Sequence, residues 1–403
     1  MAVTRAVILA AGEGKRMHPL TCTRPKVMLP LANKPILEHL MLEMKLAGIQ
    51  EIILVVGYYD DQIRNYFDDG GKWEINIRYC CQRKQLGTAD ALRLLDGTLK
   101  ESFLLVNGDS IFYHEDISRL TVQTENVLSI IKLPDVTGLG VVEVKEGQVT
   151  RIYEKTVKPP SQLVNAGMYL LSPDIFEAAK KTARSMRGEY ELTDSIQMLI
   201  DTGHKVLCQE IGSWLNFSFP WDLLTVNEKM MKDLASQNLG EIGPNVVIEE
   251  PVSVGKGSVI RPGTCISGPV IIDDNCDIGP NCFIRAGTVI AGNCHIGAGV
   301  ELKNSIIMSG TKIPHLSYVG DSIIGEGCNL GAGTKVANLR LDRQNVRVDG
   351  INTGRRKLGA IIGDNVQTGI NASINVGTMI GNNTVIGPGA LASGNISPGS
   401  KIF

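Results

Sequence analysis

A glycine-rich, basic loop near the start of the chain has the residue types that bind phosphate. It follows the apolar run 6–10, which predicts a buried parallel strand, so Gly12 and Gly14 fall where a strand passes into a loop and helix. Glycine lets the backbone approach an anion and point N–H groups at it. Cations that would neutralise a polyphosphate follow at close spacing: Lys15, Arg16, Arg24 and Lys26. The loop therefore predicts a site for a phosphorylated ligand.

The pattern continues downstream of this loop. Met17 stands where a dinucleotide-binding fingerprint has its third glycine, and Arg16 stands where a P-loop has Ser or Thr, so neither motif fits. Pro25-Lys26 and residues 29–37 (Leu-Pro-Leu-Ala-Asn-Lys-Pro-Ile-Leu) complete a pattern that resembles the signature of sugar-1-phosphate nucleotidyltransferases. The resemblance implies that Arg16 and Lys26 are catalytic. It also implies nucleotide-binding positions at Leu9, Gly12 and Gly14. A structural turn after the first strand is the alternative.

Polar residues also follow later strands. Residues 1–228 alternate apolar runs with helical patterns, which predicts a Rossmann-like α/β domain with a mainly parallel sheet and ligands beyond the carboxyl ends of its strands. Gln82, Gly87 and Thr88 resemble the base-recognising segment of the same family. Asp109 matches the family's metal-binding Asp, and a carboxylate there would hold Mg²⁺ against phosphate oxygens. An ordinary loop and a turn are the alternatives.

The sugar phosphate and a second metal ligand are implied by two further segments. Three residues resemble positions of the family's sugar-phosphate strands: Glu154, Lys155 and Asn165. Residues 214–222 resemble the family's Trp-x-Asp-x-Gly segment, with Asn216 in place of the Asp. An amide oxygen can also bind Mg²⁺, so Asn216 is the expected second ligand and Asp222 the alternative.

After a predicted linker, residues 229–241, the period of the sequence changes. Small aliphatic residues recur every six positions at Ile242, Ile248, Val254, Ile260, Ile266, Ile272, Ile278, Ile284, Ile290, Ile296 and Leu302. This is the hexapeptide signature of a left-handed parallel β-helix, with three hexads in each triangular coil. Residues 242–403 therefore form a second predicted domain, interrupted by a basic insertion at 338–358. The insertion is either a solvated loop or a contact for a phosphorylated ligand.

A histidine motif precedes that insertion. Residues 312–321 read Lys-Ile-Pro-His-Leu-Ser-Tyr-Val-Gly-Asp, which resembles the acetyltransferase half of the bifunctional enzymes that acetylate glucosamine-1-phosphate and uridylylate N-acetylglucosamine-1-phosphate. His315 falls on the family's catalytic base, and imidazole suits that role because it titrates near working pH. The resemblance also implies a sugar-phosphate, amino-sugar and acetyl-CoA site formed by Arg285, Lys303, Tyr318, Asn329, Ala332, Asn338 and Lys357.

Composition limits the class of partner. The formal net charge is −2 and no run of about eighteen apolar residues occurs, which argues against nucleic-acid and membrane-surface binding. We therefore expect a soluble, cytoplasmic protein that acts on small molecules. The family resemblance adds UTP, an amino-sugar-1-phosphate and acetyl-CoA as substrates, Mg²⁺ as cofactor, and a homotrimer or dimer of trimers.

Three functions are compatible with these patterns. The first is acetylation of glucosamine-1-phosphate, with galactosamine-1-phosphate as a further candidate acceptor, followed by uridylyl transfer. The second is a monofunctional glucose- or mannose-1-phosphate nucleotidyltransferase that uses dTTP or GTP and has a structural β-helix. The third is a non-enzymatic regulatory subunit. His315 beside a phosphate clamp favours the first, because a structural β-helix needs no base there.

Overall fold

The computed structural model describes residues 2–154 and 158–403. Its contacts divide the chain into two compact units, each described by itself. The first, here called the sheet unit, comprises the described residues of Met1–Glu13, Arg24–Met28 and Pro35–Asn216. The second, here called the coil unit, comprises Gly14–Thr23, Leu29–Lys34 and Phe217–Phe403. Among the described residues, no helix combines the length and apolarity needed to span a bilayer.

A nine-stranded mixed sheet forms the centre of the sheet unit. Its strands are β1 (Arg5–Ala10), β2 (Glu51–Val56), β3 (Asn76–Cys81), β4 (Phe103–Asn107), β5 (Asn126–Lys132), β6 (Val141–Lys145), β7 (Gln148–Tyr153), β8 (Leu163–Leu171) and β9 (Val206–Glu210). Their order is β3-β2-β1-β4-β8-β5-β9-β7-β6. Strands β3, β2, β1 and β4 pair in parallel, while β8 and β7 pair antiparallel with their neighbours. The predicted Rossmann-like α/β fold is confirmed.

Helices separate these strands along the chain. They are α1 (Ile36–Leu46), α2 (Asp60–Phe67), α3 (Thr88–Arg93), α4 (His114–Thr121), α5 (Ile175–Lys181), α6 (Leu192–Asp201) and, in the coil unit, α7 (Asp222–Met230). Strand β1 is apolar on both faces, and Val7 and Ile8 belong to two different core clusters. Two apolar faces require cover on both sides, which is why the strands alternate with helices.

Three parallel sheets form the β-helix of the coil unit. The first has strands Gln237–Asn238, Val252–Val254, Val270–Ile272, Thr288–Ile290, Ile306–Ile307, Ile323–Ile324, Ala360–Ile362, Thr378–Ile380 and Asn395–Ile396. The second has Glu241–Ile242, Val259–Ile260, Asp277–Ile278, His295–Ala298, Lys312–His315, Asn329–Leu330, Gln367–Thr368, Val385–Ile386 and Lys401–Ile402. The third has Val247–Glu249, Cys265–Ser267, Phe283–Arg285, Glu301–Lys303, Tyr318–Gly320, Lys335–Val336, Ser373–Ile374 and Leu391–Ala392.

The six-residue period determines the core of the β-helix. Val252 lies opposite Val270 on the next strand, so one coil takes 18 residues, or three hexads. Ile260, Ile278 and Ile296 are fully buried in one continuous column. Ile242 is the exception at 38% exposed, because it lies in the first coil and has a neighbouring coil on one side only.

The insertion leaves the β-helix and returns to the same register. Ile323–Ile324 pairs directly with Ala360–Ile362 across it. Within the insertion, Arg347–Val348 and Ile351–Asn352 form a short antiparallel hairpin. The N–H of Leu358 donates to the carbonyl of Asn338 over 3.0 Å, which closes the stem.

Candidate active sites

A lysine and a carboxylate meet beyond strand β4 in the sheet unit. The Nζ atom of Lys26 lies 2.7 Å from Oδ2 of Asp109, and the Lys26 side chain is only 9% exposed against 41% for Asp109. Gly108 precedes Asp109, and its N–H donates to the Leu9 carbonyl over 2.9 Å. A Cβ on Gly108 would lie 2.9 Å from that same oxygen, so only glycine lets the chain turn here. Sequence reasoning gave Gly108 no role.

The predicted second metal position adjoins Asp109. The short strand Leu215–Asn216 pairs antiparallel with Ser110–Ile111, which places Asn216 opposite Ser110, the residue after Asp109. The indole N–H of Trp214 donates to the Ser110 hydroxyl over 3.2 Å and fixes this pairing. One carboxylate and one amide oxygen suit Mg²⁺, which keeps water and substrate oxygens in its other positions. Across residues 2–154 and 158–403, no group of three or more His, Cys, Asp or Glu side chains offers a fuller cage.

The alternative ligand, Asp222, closes a turn. Its Oδ2 accepts the N–H groups of Ser218 over 2.7 Å and Phe219 over 2.8 Å, at the start of helix α7. This oxygen is therefore already engaged with the backbone.

The predicted base-recognising segment is held by its own hydrogen bonds. The buried Gln82 donates through Nε2 to the Gly87 carbonyl over 3.1 Å and to Oδ2 of Asp90 over 2.8 Å. Gly87 has φ +115, and a Cβ there would lie 2.4 Å from the Tyr190 carbonyl oxygen. The Thr88 hydroxyl accepts the N–H of Leu192 over 2.9 Å at the start of helix α6. The segment thus holds Gln82 in one orientation.

Two predicted sugar-contacting residues lie on antiparallel strands or just after them. Asn165 Nδ2 donates to the Tyr169 hydroxyl over 2.8 Å, and its Oδ1 accepts the N–H of Gly167 over 3.1 Å. Burial raises the pKa of Tyr169 well above its usual range, against the effect of this hydrogen bond. Oε1 of Glu154 lies 3.3 Å from Nη2 of Arg187, a residue that no motif indicated. Lys155 lies outside the described residues.

The loop that carries Gly14 and Arg16 belongs to the coil unit. Gly14 has φ +70 and begins the short 3-10 turn Lys15–Met17. The Arg16 guanidinium lies 5.7 Å from the centroid of the Phe219 ring, which stacks on Trp221 at 4.8 Å between centroids. In the sheet unit, by contrast, a Cβ on Gly12 would meet nothing within 4 Å. The backbone there is open to a ligand.

The predicted phosphate clamp is stacked on one face of the β-helix. Arg285 lies directly opposite Lys303 on the next strand, and Lys303 lies opposite Gly320. Arg285 Nη1 pairs with Oε1 of Glu301 at 2.8 Å. Lys303 Nζ lies 3.0 Å from Oδ2 of Asp321, and its side chain is 21% exposed. The three-hexad spacing thus brings both cations together.

Tyr318 and Asn338 meet beside that clamp. Asn338 Nδ2 donates to the Tyr318 hydroxyl over 3.0 Å. Burial raises the pKa of the Tyr318 hydroxyl, although the bond from Asn338 acts in the opposite direction. Tyr318 therefore stays a neutral hydroxyl at physiological pH. Asn338 begins the insertion, and Lys357, whose backbone pairs with Leu339, lies near its end with an exposed side chain.

His315 ends the strand Lys312–His315 and is exposed at a corner between two faces of the β-helix. The next residue, Leu316, has φ +49 and turns the chain onto the strand of Tyr318. The His315 carbonyl accepts the N–H of Gly333 over 3.0 Å, so Ala332 lies beside it on the following coil. Asn329 lies opposite Lys312 on that coil. His315 and the predicted acetyl-CoA position, Ala332, therefore lie on neighbouring coils.

Gly320 leaves the space that Tyr318 and Asn338 occupy. A Cβ on Gly320 would lie 2.5 Å from the Tyr318 hydroxyl and 2.6 Å from Asn338 Nδ2, and both atoms end movable side chains. We expect Gly320→Ala to displace these two groups, cost about 1–3 kcal/mol of stability and lower acetyl transfer at least about tenfold.

The check is thermal unfolding together with thiol release from acetyl-CoA. Gly292→Ala is the matched control, because a Cβ there would approach its nearest atom, the Asp274 carbonyl oxygen, only to 3.3 Å. Full acetyl transfer by Gly320→Ala would contradict the placement of Tyr318 and Asn338 in the site.

Comparison with known proteins relates this geometry to a family. The bifunctional protein GlmU of Methanococcus maripaludis strain C7 is 45% identical over 99% of this chain and 97% of its own length. A family model described as nucleotidyl transferase matches residues 5–233. The chain belongs to the bifunctional GlmU family of nucleotidyl transferases. The predicted resemblance is thus confirmed.

Other known proteins and family models match the whole chain or one part of it. The bifunctional sugar-1-phosphate nucleotidylyltransferase/acetyltransferase of Sulfurisphaera tokodaii is 39% identical over 98% of both chains. A model described as the GMPPB C-terminal domain matches residues 266–375. A crystal structure of UDP-glucose pyrophosphorylase with UDP-glucose aligns at a TM-score of 0.53 and 21% identity, covering 57% of this chain and 99% of that one. This last similarity concerns the fold alone.

Proposed function

We propose that the chain acetylates glucosamine-1-phosphate with acetyl-CoA and then transfers the uridylyl group of UTP to N-acetylglucosamine-1-phosphate. The observation that carries this proposal is the Arg285–Lys303 stack beside Tyr318 and Asn338. Two cations next to polar groups suit a phosphorylated amino sugar. Membership in the GlmU family supports both activities in one chain.

In acetyl transfer, the amine of the sugar attacks the thioester carbonyl of acetyl-CoA. The new C–N bond forms, the C–S bond breaks, and the proton of the amine passes to His315 as general base. The protonated His315 then gives this proton to the departing sulfur, so coenzyme A leaves as the thiol. The sugar phosphate is held by Arg285, Lys303 and Lys357, and the sugar itself by Tyr318, Asn329 and Asn338. Ala332 lines the acetyl-CoA groove.

In uridylyl transfer, an oxygen of the sugar phosphate attacks the α-phosphorus of UTP and pyrophosphate leaves. The attacking phosphate is already ionised, so the residues position and neutralise rather than take a proton. Lys26 and Arg16 stabilise the transition-state charge. The nucleotide contacts Leu9, Gly12, Gly14, Gln82, Gly87 and Thr88, and the sugar contacts Glu154, Lys155 and Asn165. Asp109 and Asn216 would hold Mg²⁺, which supplies positive charge against the phosphate oxygens.

We also propose that the protein is cytoplasmic. We further propose that it forms a homotrimer or a dimer of trimers, because β-helices of this kind pack around a threefold axis and can share acyl-transfer sites between copies. The nucleotidyltransferase residues fall within 1–228 and the acetyltransferase residues within 242–403. Galactosamine-1-phosphate is a second acceptor to be assayed.

Two product measurements on the full chain test the proposal. Glucosamine-1-phosphate with acetyl-CoA is expected to release thiol, and N-acetylglucosamine-1-phosphate with UTP is expected to release pyrophosphate. Pyrophosphate without thiol release would make the β-helix structural and favour a monofunctional nucleotidyltransferase. Neither product would favour the regulatory subunit.

Chelation separates the two reactions. Excess EDTA is expected to reduce uridylyl transfer at least about a hundredfold, because carboxylate and amide oxygens alone do not neutralise a triphosphate. The rate of acetyl transfer is expected to stay unchanged, since the proposed steps of that reaction use cationic side chains and no metal ion. Restoration by added Mg²⁺ is the control, and uridylyl transfer that persists in EDTA would contradict the roles of Asp109 and Asn216.

A further inference from the structure

One buried carboxylate connects the groups that would bind the amino sugar. The Asp321 side chain is 3% exposed and accepts hydrogen bonds from three side chains. Lys303 Nζ lies 3.1 Å from Oδ1 and 3.0 Å from Oδ2, Asn304 Nδ2 lies 2.8 Å from Oδ1, and Asn338 Nδ2 lies 2.6 Å from Oδ2. A buried carboxylate is stable only when it is paired and hydrogen-bonded in this way.

The backbone of Asp321 explains how one residue reaches all three. Its φ is +50, a left-handed conformation that Asp adopts more readily than most residues. The chain therefore turns at Asp321, directly after Gly320, and the carboxylate lies between the strand of Lys303 and the stem of the insertion. The N–H of Asp321 donates to the Lys303 carbonyl over 2.8 Å, and its carbonyl accepts the N–H of Gly359 over 2.8 Å. Both backbone bonds hold the carboxylate in this position.

The donors are groups with roles in acetyl transfer. An ammonium has three donor hydrogens, so Lys303 can bind Asp321 and still donate to a phosphate. Asn338 uses one amide hydrogen for Asp321 and the other for the Tyr318 hydroxyl at 3.0 Å. If the side chain at position 321 were neutral or absent, neither Lys303 nor Asn338 would be held in its present orientation.

A second carboxylate extends this network to helix α7. Asn304 Nδ2 donates to Asp321 and also to Oε1 of Glu228, each over 2.8 Å. Arg355 of the insertion lies 2.6 Å from the same Glu228 oxygen and donates to the Thr225 hydroxyl over 2.8 Å. The Arg355 side chain is 14% exposed and that of Glu228 is 41% exposed, so only the arginine end of this pair is shielded from solvent. Helix α7 thereby fixes the insertion that carries Asn338.

We propose that Asp321 is a positioning residue for acetyl transfer, orienting Lys303 and Asn338, and that Glu228 holds the insertion in place from helix α7. The proposal rests on the acetyl transfer proposed above. Glu228 precedes residue 242, where the β-helix repeat begins, so the acetyl-transfer site depends on a residue outside the predicted acetyltransferase domain.

The first test is Asp321→Asn in the full chain. The new amide replaces one accepting oxygen with an NH₂ group that faces two of the three donors, so we expect KM for glucosamine-1-phosphate to rise about tenfold and kcat for acetyl transfer to fall about 10- to 100-fold. KM for acetyl-CoA and uridylyl transfer are expected to stay unchanged. Asp277→Asn is the matched control, because Asp277 also pairs with a cation on the β-helix, Arg261, outside the proposed acetyl-transfer site.

The second test is Glu228→Gln, which keeps the acceptor for Asn304 and removes the charge beside Arg355. Glu228 is 41% exposed, so the variant is expected to fold. We expect KM for glucosamine-1-phosphate to rise about three- to tenfold, with KM for acetyl-CoA unchanged. The parent protein is assayed in parallel with both substrates.

The outcomes distinguish the positioning roles of Asp321 and Glu228 from the proposed acetyl transfer itself. Thiol release by the parent with unchanged acceptor KM and kcat in both variants would overturn the positioning roles and leave the acetyltransferase intact. Equal falls in the rates of acetyl transfer and uridylyl transfer with unchanged KM values would show general unfolding and also overturn them. No thiol release by the parent would overturn the proposed acetyl transfer and this inference together.

Discussion

His315→Ala is expected to lower kcat for acetyl transfer about 10²- to 10⁴-fold and to leave uridylyl transfer unchanged. An amine that attacks a thioester must lose a proton, and a positioned general base contributes an effect of this size. His315 is exposed at the end of the strand Lys312–His315 and contacts solvent, so its removal leaves no buried cavity. Thiol release and pyrophosphate release, measured on the same preparation, check both halves of the prediction.

His295→Ala is the matched control. His295 begins the strand His295–Ala298, which pairs with Lys312–His315 one coil later, and Ala298 lies opposite His315. The control thus removes the same side chain from the same face, and acetyl transfer should change by no more than about twofold. Equal activity of the His315→Ala variant and the parent would refute the general-base role.

Lys26→Met is expected to lower kcat/KM for uridylyl transfer about 10²- to 10³-fold. The side chain is 9% exposed, so its charge acts in a region of low dielectric, where a cation directed at developing phosphate charge has its largest effect. Methionine has a similar volume, so the core should stay packed. Acetyl transfer should be unaffected, which shows that the variant is folded.

Lys45→Met provides the comparison. Lys45 also forms a short ion pair, 2.6 Å from Glu74, but the two side chains are 38% and 80% exposed. Exposed ion pairs contribute little to stability because solvent screens them, so uridylyl transfer and stability should both stay near those of the parent. If Lys26→Met and Lys45→Met behaved alike, Lys26 would have no catalytic role.

The extent to which sequence predicted the sites differs between the two halves. In the β-helix, residues three hexads apart must lie on neighbouring strands, so the stacking of Arg285 and Lys303 could be predicted from numbering alone. In the sheet unit, the sequence predicts that Gln82 and Thr88 contact the nucleotide, but it does not predict which protein groups they bind. The structure shows these polar atoms already bonded to Asp90 and Leu192, through a fold of the loop that no local pattern encodes.

The residues that sequence reasoning missed fall into two groups. Arg187 and Glu228 acquire their importance from partners far away in the chain, whereas the partners of Gly320 and Asp321 lie within about one coil of the β-helix. Arg355 and Glu228 are separated by 127 positions, and Glu154 and Arg187 by 33. Such distances exceed any repeat or motif window. Asp321 did stand within the histidine motif, but two of its donors, Lys303 and Asn304, lie on the preceding coil and the third, Asn338, begins the insertion.

The sequence by itself determined the architecture and the chemistry. A six-residue period allows only one way to bury its aliphatic side chains, and alternating apolar runs with helical patterns require a layered α/β sheet. Residue types at strand ends and corners then indicated phosphate, metal and base chemistry. Only the tertiary structure decided which side chains orient these groups, because a buried carboxylate such as Asp321 takes its donors from whatever strands and loops folding brings beside it, and their geometry is set by packing rather than by local sequence.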